Sequence, residues 1–202
     1  MSRPVTLALE LDDTPLSTEL RGFIDAMVAL SDGKLKSVVV DGEYEKDDTG
    51  RAVFDVEHVL PAARPCVRMV VDGKPTGLAF HGVPSGHEFN SFVLGLYNAA
   101  GPGQPLGDDL IERAKSIASP LNIMILVSLT CTMCPETVLA SQRLASLNPA
   151  VRAEAYDVSH FPVLKAQYGA KSVPCIVINR GGEQTVVFGK KSIPQMLDLI
   201  GA

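Results

Sequence analysis

Leu129-Thr130-Cys131-Thr132-Met133-Cys134-Pro135 joins two segments with different hydrophobic patterns. Before it, residues 123–129 form an apolar run broken only by Ser128, which predicts a buried β-strand. After it, Pro135 suits a first helical turn, and apolar residues continue at helical spacing. The stretch therefore predicts a strand-to-helix junction that carries two cysteines with two residues between them.

The position of these cysteines favours dithiol–disulfide chemistry. Cys131 is predicted at or just before the helix N-terminus, where unpaired amides and the positive end of the helix dipole favour a thiolate. Cys134 follows one turn later and is able to close a small, reducible ring with Cys131. We expect Cys131 to attack and Cys134 to resolve the mixed disulfide. Thr132 and Met133 are expected to tune the reduction potential of the cysteine pair and to contact the partner protein. The alternative is that they are exposed surface residues without a role.

Two other interpretations of the cysteines are less favoured. A structural zinc site normally needs four ligands, and the sequence has no second closely spaced cysteine pair and no histidine pair; His58, His81 and His160 are scattered. Cys66 and Cys175 each follow a proline at the start of a predicted strand, and we interpret both as buried core residues rather than as a third redox thiol. Reversible redox chemistry at 131 and 134 is the preferred interpretation, and no metal site is expected.

Composition limits the possible functions. The chain has 202 residues and a net charge of −5, so it offers no general basic surface for nucleic acid or an anionic membrane. No apolar run approaches the roughly 18 residues of a spanning helix. Glu10 interrupts the N-terminal segment before a signal-peptide core can form. Four cysteines are too few for a disulfide-stapled secreted scaffold, so we expect a cytoplasmic protein.

An internal repeat predicts the architecture. Pro65-Cys66-Val67, a turn and a helix in the first half are echoed by Pro174-Cys175-Ile176, a turn and a helix in the second. Residues 9–15 likewise echo residues 129–135, with Asp12-Asp13-Thr14 where the second half has its cysteine pair. The fold class is therefore α/β, with two tandem units that each have a mixed sheet, and only the second unit is expected to be redox-active.

The predicted boundaries are residues 1–98 for the inactive unit, 99–107 for a linker rich in glycine and proline, and 108–202 for the active unit. A polar loop is predicted over residues 41–51, and Asp108 is predicted to cap the first helix of the second unit. Gly101-Pro102-Gly103 does not make a dinucleotide fingerprint, because no strand precedes it and the third glycine falls one place too late.

Three features together resemble the thioredoxin fold. They are the cysteine pair at a strand-to-helix turn, the run from Leu164 through residues 168–174, and the ending of a hairpin followed by a helix. The resemblance implies that Pro174 is a cis-proline facing the disulfide and that Pro65 is its counterpart in the first half. It also adds Val173 and Pro174 to Thr132 and Met133 as expected partner-binding residues.

A narrower resemblance is to the N-terminal domain of the flavoprotein subunit of bacterial alkyl hydroperoxide reductase. That domain has two tandem thioredoxin-like folds of which only the second is active. Residues 84–89, residues 146–149 and the Cys134-Pro135 dipeptide strengthen the match, which covers essentially the whole chain. In that family the domain passes electrons from a flavin-linked disulfide to a peroxiredoxin.

The resemblance implies a role for Glu88, because the family places the matching acidic residue near the active disulfide, where it assists proton transfer. By itself, a glutamate in a first helical turn is usually a surface residue that complements the helix dipole. The flavin and pyridine-nucleotide domains that follow in the family are absent from this sequence, which we interpret as a stand-alone carrier or an excised domain. We therefore expect that this chain binds no cofactor and that a separate reductase holds FAD and pyridine nucleotide. Two alternatives stay open: a general protein disulfide oxidoreductase, and a non-catalytic binding module that uses the groove beside the cysteines.

Overall fold

The computed structural model describes residues 1–40 and 63–202, so the predicted loop over 41–51 and His58 lie outside the described residues. The first half contains β1 (Val5–Glu10), α1 (Pro15–Leu30), β2 (Leu35–Val39), β3 (Cys66–Val71), β4 (Lys74–His81) and α2 (Glu88–Ala100). The second half contains α3 (Asp108–Lys115), β5 (Leu121–Val127), α4 (Cys134–Leu147), β6 (Val151–Asp157), α5 (Pro162–Gln167), β7 (Cys175–Arg180), β8 (Glu183–Phe188) and α6 (Ile193–Leu199).

The strands form one sheet in the order β2-β1-β3-β4-β6-β5-β7-β8. In each half, the first two strands pair in parallel and the next two pairings are antiparallel. The prediction of two tandem thioredoxin-like units with mixed sheets is confirmed, with one difference: parallel pairing of β4 with β6 joins the two sheets into one. This pairing satisfies backbone groups that two separate sheets would leave at open edges.

The two faces of the sheet bury different sets of side chains. On β5, Ile123, Ile125 and Val127 enter the large core shared with α1, α2, α4 and α6, whereas Met124 and Leu126 enter a smaller core under α5. All seven residues of β5 are buried, which is why the sequence shows a continuous apolar run there rather than alternation. The strand that leads into the cysteine pair is therefore a central, doubly covered strand of the sheet.

The region between the halves differs in detail from the sequence prediction. Helix α2 extends to Ala100, two residues into the predicted linker, and Gly101 follows with a positive φ of 69°. Helix α3 begins at Asp108, so Gly107 rather than Asp108 takes the N-cap position. The boundaries at 98/99 and 107/108 stay a prediction.

A buried polar network crosses the seam between the halves. Arg68 on β3 donates to Glu10 on β1 at 2.7 Å and to Glu154 on β6 at 2.6 Å. Glu154 also accepts from His81 on β4 at 2.9 Å and from the Tyr156 hydroxyl at 3.2 Å. Although burial alone would raise the pKa of Glu154, Arg68 and His81 lower it to about 2. The network therefore holds an ionised carboxylate of the second half against cations of the first.

The hydrogen bonds of His81 fix its charge. Its Nδ1 lies 2.6 Å from the Ala63 carbonyl oxygen, and its Nε2 lies 2.9 Å from the Glu154 carboxylate. Both partners are acceptors only, so both ring nitrogens carry a proton. Burial alone would lower the pKa of His81, but Cys66 and Glu154 outweigh it and raise the pKa. The imidazolium stacks on Tyr156 with 3.8 Å between ring centroids.

Within residues 1–40 and 63–202, none of the helices has the length and apolar character required to cross a bilayer.

Candidate functional site

The cysteine pair forms a disulfide at the start of α4. The bond joins Cys131 to Cys134, whose Cα atoms are 5.5 Å apart. After β5 ends at Val127, the chain turns, and the Cys131 N–H donates to the Ser128 carbonyl at 2.9 Å. Helix α4 begins at Cys134 itself, and Met133 occupies the N-cap position without a side-chain cap bond. The predicted strand-to-helix junction is thus present, with the first cysteine in the turn just before the helix.

The two sulfurs have different surroundings. Cys131 is partly exposed, whereas Cys134 is fully buried. The Cys134 N–H, one of the amides that the first helical turn leaves unpaired, donates to Cys131 Sγ at 3.1 Å. An N–H aimed at a sulfur stabilises negative charge on it. The geometry therefore suits Cys131 as the accessible nucleophile and Cys134 as the protected second sulfur.

The other residues predicted for partner binding surround Cys131. Thr132 and Met133 are exposed, with 52% of Met133 accessible. The Val173 carbonyl oxygen lies 3.8 Å from Cys131 Sγ. The Val173–Pro174 peptide bond is cis, as is the bond that precedes Pro65 in the first half. The structure thus brings Val173 to the disulfide; the role of these residues in binding a partner stays a prediction.

Glu88 is buried, contrary to the usual behaviour of a glutamate in a first helical turn. Its side chain is fully inaccessible, and Ser91 donates a short hydrogen bond to Oε2. The other carboxylate oxygen, Oε1, has no partner among the described residues. Burial, helped by the nearby Asp157 carboxylate, raises the pKa of Glu88 to about 7. This carboxyl group is therefore able to exchange protons near neutral pH.

The N-terminus of α2 is fastened to the chain segment that leads into the cysteine pair. The His87 N–H donates to the Leu129 carbonyl at 2.9 Å, two residues before Cys131. Gly86 has a φ of 56°, and a Cβ there would lie 2.6 Å from the same carbonyl oxygen. Only glycine allows this approach without strain. The start of α2, which carries Glu88, is thus held against the segment of the second half that leads into Cys131.

Asp157 is a second buried carboxylate at this end of the sheet, and it was not predicted from the sequence. Its Oδ1 accepts from the Ser159 N–H at 3.0 Å, while Oδ2 has no hydrogen-bond partner in the described chain. The partly exposed His160 ring lies 3.7 Å from Oδ2. The available signal was an acidic residue at the end of a predicted strand, Val151–Asp157.

The corresponding position in the first half is occupied by a capping structure. Thr14 is the N-cap of α1, and its hydroxyl and that of Ser17 both donate to Asp12 Oδ1 at 2.5 Å. The Ser17 bond is the main reason that the pKa of Asp12 is lowered. These side chains secure a helix end where the second half has its cysteine pair, and the expectation that only the second half is redox-active stays a prediction.

Cys66 and Cys175 are free and fully buried. Burial raises the pKa of Cys175 to about 11, which opposes thiolate formation. Cys66 Sγ lies 3.7 Å from His81 Nε2 within the seam network. The interpretation of both as core residues rather than redox thiols stays a prediction. Over the ranges that the structure describes, no group of three or more histidine, cysteine, aspartate or glutamate side chains is arranged to hold a metal ion.

Comparison with known proteins supports this site. The family model for a thioredoxin domain matches residues 121–200, the span that contains the disulfide. The crystal structure of the NTD_N/C domain of alkylhydroperoxide reductase AhpF from Enterococcus faecalis superimposes with a TM-score of 0.84 and 35% identity, covering 98% of this chain and 91% of that one. A protein disulfide oxidoreductase from Aeropyrum pernix shares the fold, with a TM-score of 0.74 and 23% identity over 99% of this chain and 85% of that one.

Longer relatives carry the same name as the first of these structures. The alkyl hydroperoxide reductase AhpF of Pseudomonas aeruginosa is 33% identical over 190 residues, which are 94% of this chain and 32% of that protein. The Escherichia coli protein of that name is 27% identical over 179 residues, which are 89% of this chain and 31% of that protein. The chain thus spans about a third of the length of the curated relatives it matches.

Proposed function

The chain belongs to the family of N-terminal domains of the alkyl hydroperoxide reductase AhpF, and from this premise we propose that it is a thiol–disulfide oxidoreductase that relays electrons through Cys131 and Cys134. The donor is a flavin-dependent disulfide reductase that holds FAD and pyridine nucleotide, and the acceptor is a peroxiredoxin-type disulfide. The observation that carries the proposal is the disulfide between a partly exposed Cys131 and a buried Cys134 at the start of a helix. We place this chemistry in the cytoplasm, where Cys66 and Cys175 stay reduced.

Reduction begins when a thiolate of the donor attacks Cys131 Sγ, the accessible sulfur. The bond between Cys131 and Cys134 breaks, and Cys134 leaves as a thiolate. The second donor thiol, as a thiolate, then attacks the donor sulfur of the mixed disulfide and releases the Cys131 thiolate. The donor dithiol becomes a disulfide, and the disulfide of this chain becomes a dithiol, with two electrons transferred.

Oxidation reverses these roles. The Cys131 thiolate, stabilised by the Cys134 N–H, attacks a disulfide sulfur of the acceptor and expels one acceptor thiolate. Cys134 then attacks Cys131 Sγ, re-forms the intramolecular disulfide and releases the second acceptor thiolate. Because Cys134 is buried, it meets Cys131 more readily than it meets a foreign thiol.

We assign proton transfer at the buried sulfur to Glu88. A thiolate left on Cys134 lies away from water and is therefore costly unless it is protonated. A carboxyl group with a pKa of about 7 is close to ideal for giving and taking that proton near neutral pH. Thr132, Met133, Val173 and Pro174 are proposed to contact the partner beside Cys131.

Reconstitution tests the relay. The chain is mixed with a flavin disulfide reductase and a peroxiredoxin, and pyridine-nucleotide oxidation is followed after peroxide is added. Turnover should depend on the chain and be lost in Cys131→Ser and in Cys134→Ser. Insulin reduction with dithiothreitol identifies a general disulfide reductase. Partner binding without turnover in the unmodified chain would instead support the binding module.

Alkylation tests the assignment of the two sulfurs. After reduction, a short pulse of iodoacetamide should label Cys131 well before Cys134, because Cys134 is fully buried. Mass spectrometry of the peptide that contains both residues reads the order. Earlier labelling of Cys134 would reverse the proposed roles.

A further inference from the structure

Arg143 on α4 is a buried cation that has no acidic partner in the part of the chain that the structure describes. Only 6% of the residue is exposed, and no carboxylate among the described residues forms an ion pair with it. Its Nη2 donates to the Gln104 carbonyl at 2.8 Å, and its Nη1 lies 3.4 Å from the Ser146 hydroxyl. Its Nε is buried and makes no hydrogen bond to the described part of the chain. Both hydrogen-bond partners are neutral, so no carboxylate within residues 1–40 and 63–202 compensates the positive charge.

Arg143 lines a cavity of about 300 Å³ between residues 104–106, α4 and the start of α6. At the rim, Glu136 pairs with Lys190 at 2.9 Å, and about half of each side chain is exposed, so this end of the cavity reaches solvent. The rest of the wall is mainly apolar, formed by Pro105, Leu106, Leu139, Ala140, Ile193 and Pro194. The cavity thus combines a cation with an apolar wall.

The chain is shaped to place the guanidinium at this point. Gly103 has a φ of 81°, and a Cβ there would overlap Arg143 Nη1. The positive φ favours glycine at this position, and the absence of a Cβ leaves room for the guanidinium. The segment that follows it supplies the Gln104 carbonyl and, with Pro105 and Leu106, one side of the cavity. This is a fixed position within the fold, unlike that of a mobile surface arginine.

A buried guanidinium without a counter-ion is energetically unfavourable, because it has lost its hydration and gained no anion. Burial accordingly lowers the pKa of Arg143. A carboxylate in the cavity would bring a compensating negative charge beside the guanidinium, and an apolar group attached to it would cover the hydrophobic wall. The cavity thus suits a ligand that combines one negative charge with a small apolar group.

We propose that this cavity is a binding site for a carboxylate that carries a short aliphatic group. The site is separate from the disulfide, although both use α4: Arg143 is nine residues beyond Cys134, or about 13 Å along the helix axis. The ligand chemistry is shared by a small free organic acid and by the C-terminal carboxylate of a peptide that ends in leucine. The proposal does not depend on the identity of the electron donor or acceptor.

The test is an NMR titration of the full, oxidised chain with sodium hexanoate, followed at the Arg143 Nε–H and at the backbone amides of residues 104–106. Saturable shifts are expected, and Arg143→Met should weaken binding at least about tenfold because the charged hydrogen bonds are lost. Arg21→Met, on the exposed face of α1, is the matched control and should bind as the unmodified chain does. Hexylamine should not bind.

A second pair of variants keeps the test decisive if Arg143→Met does not fold. Leu106→Glu supplies a carboxylate from the cavity wall and should abolish hexanoate binding while raising the midpoint of thermal unfolding. Leu106→Gln should do neither. A peptide that ends in a leucine carboxylate, compared with its C-terminal amide, distinguishes the two sources, and tighter binding of either acid supports the site. Absence of saturable binding by both acids, equal binding of hexylamine, or unchanged binding in Arg143→Met would overturn the proposal.

Discussion

Replacing Glu88 by glutamine should stabilise the protein at alkaline pH while slowing its thiol chemistry. The carboxyl group has an ordinary pKa of 4.5 in the unfolded chain and about 7 in the folded one. The unfolded state therefore releases this proton at a lower pH than the folded state does. Stability is lost as pH rises from about 4.5 to about 7, and the loss is complete above that range. At about 1.4 kcal/mol per pKa unit, the 2.5-unit difference between 7 and 4.5 corresponds to about 3 kcal/mol.

Glutamine removes this penalty because it stays neutral. Its carbonyl oxygen still accepts the hydrogen bond that Ser91 donates, so little else is lost. At pH 8 we expect Glu88→Gln to raise the free energy of unfolding by up to about 3 kcal/mol, and at pH 4.5 to change it little. If Glu88 also serves the buried sulfur, the same variant should exchange disulfides more slowly.

The measurement is urea unfolding of the oxidised protein between pH 4.5 and pH 8, paired with exchange rates at the same pH values. Glu19→Gln is the matched control, since Glu19 is exposed on α1, and it should show no such pH-dependent gain. A stability difference between Glu88→Gln and the unmodified protein that is flat across this range would refute the electrostatic reasoning. Unchanged exchange rates at every pH would remove the catalytic role of Glu88 without touching the stability argument.

Three further predictions concern the seam, the fastening of α2 and the core thiols. Glu154→Gln should lower the free energy of unfolding by about 3–5 kcal/mol, because buried cations lose their anion; chemical denaturation measures it. Gly86→Ala should lower the free energy of unfolding by about 3 kcal/mol and slow disulfide exchange, because the new Cβ would contact the Leu129 carbonyl oxygen. Gly181→Ala, at the same φ of 56° but with no atom close to the new Cβ, should lower it by only about 1 kcal/mol. Cys175→Ala should lower the free energy of unfolding by about 1 kcal/mol and leave turnover in the reconstituted peroxide assay unchanged. Loss of that turnover would identify Cys175 as a redox thiol.

The active disulfide could be predicted from the sequence because its chemistry is local. The spacing of Cys131 and Cys134, the apolar run before them and Pro135 after them all lie within one short segment. The structure confirms the junction and shows the difference in exposure that helix geometry implies. The repeat of proline, cysteine and valine or isoleucine predicted the paired architecture for the same reason, since each copy is a local pattern.

Features that depend on contacts between the halves could not be predicted in this way. Glu88 has the local sequence of a surface residue, yet it is buried where the start of α2 meets the segment that leads into Cys131. Asp157 and Glu154 lie in a strand that also carries Arg152, so the sequence pattern does not predict their burial, which depends on the neighbours that β6 acquires in the sheet. The burial of Arg143 could not be predicted either, because a basic residue late in a helix ordinarily has a solvated side chain.

The parallel pairing of β4 with β6 determines what happens when the two halves are separated into fragments. Strand β4 of the first half pairs with strand β6 of the second, so separating the halves would turn both into edge strands. Each fragment would then expose a row of unpaired amide and carbonyl groups that can pair with a strand of another molecule. The fragment carrying the cysteine pair would also part from Glu88, Arg68 and His81. A fragment trimmed to the second half should therefore aggregate, and it should exchange disulfides more slowly if Glu88 serves the buried sulfur.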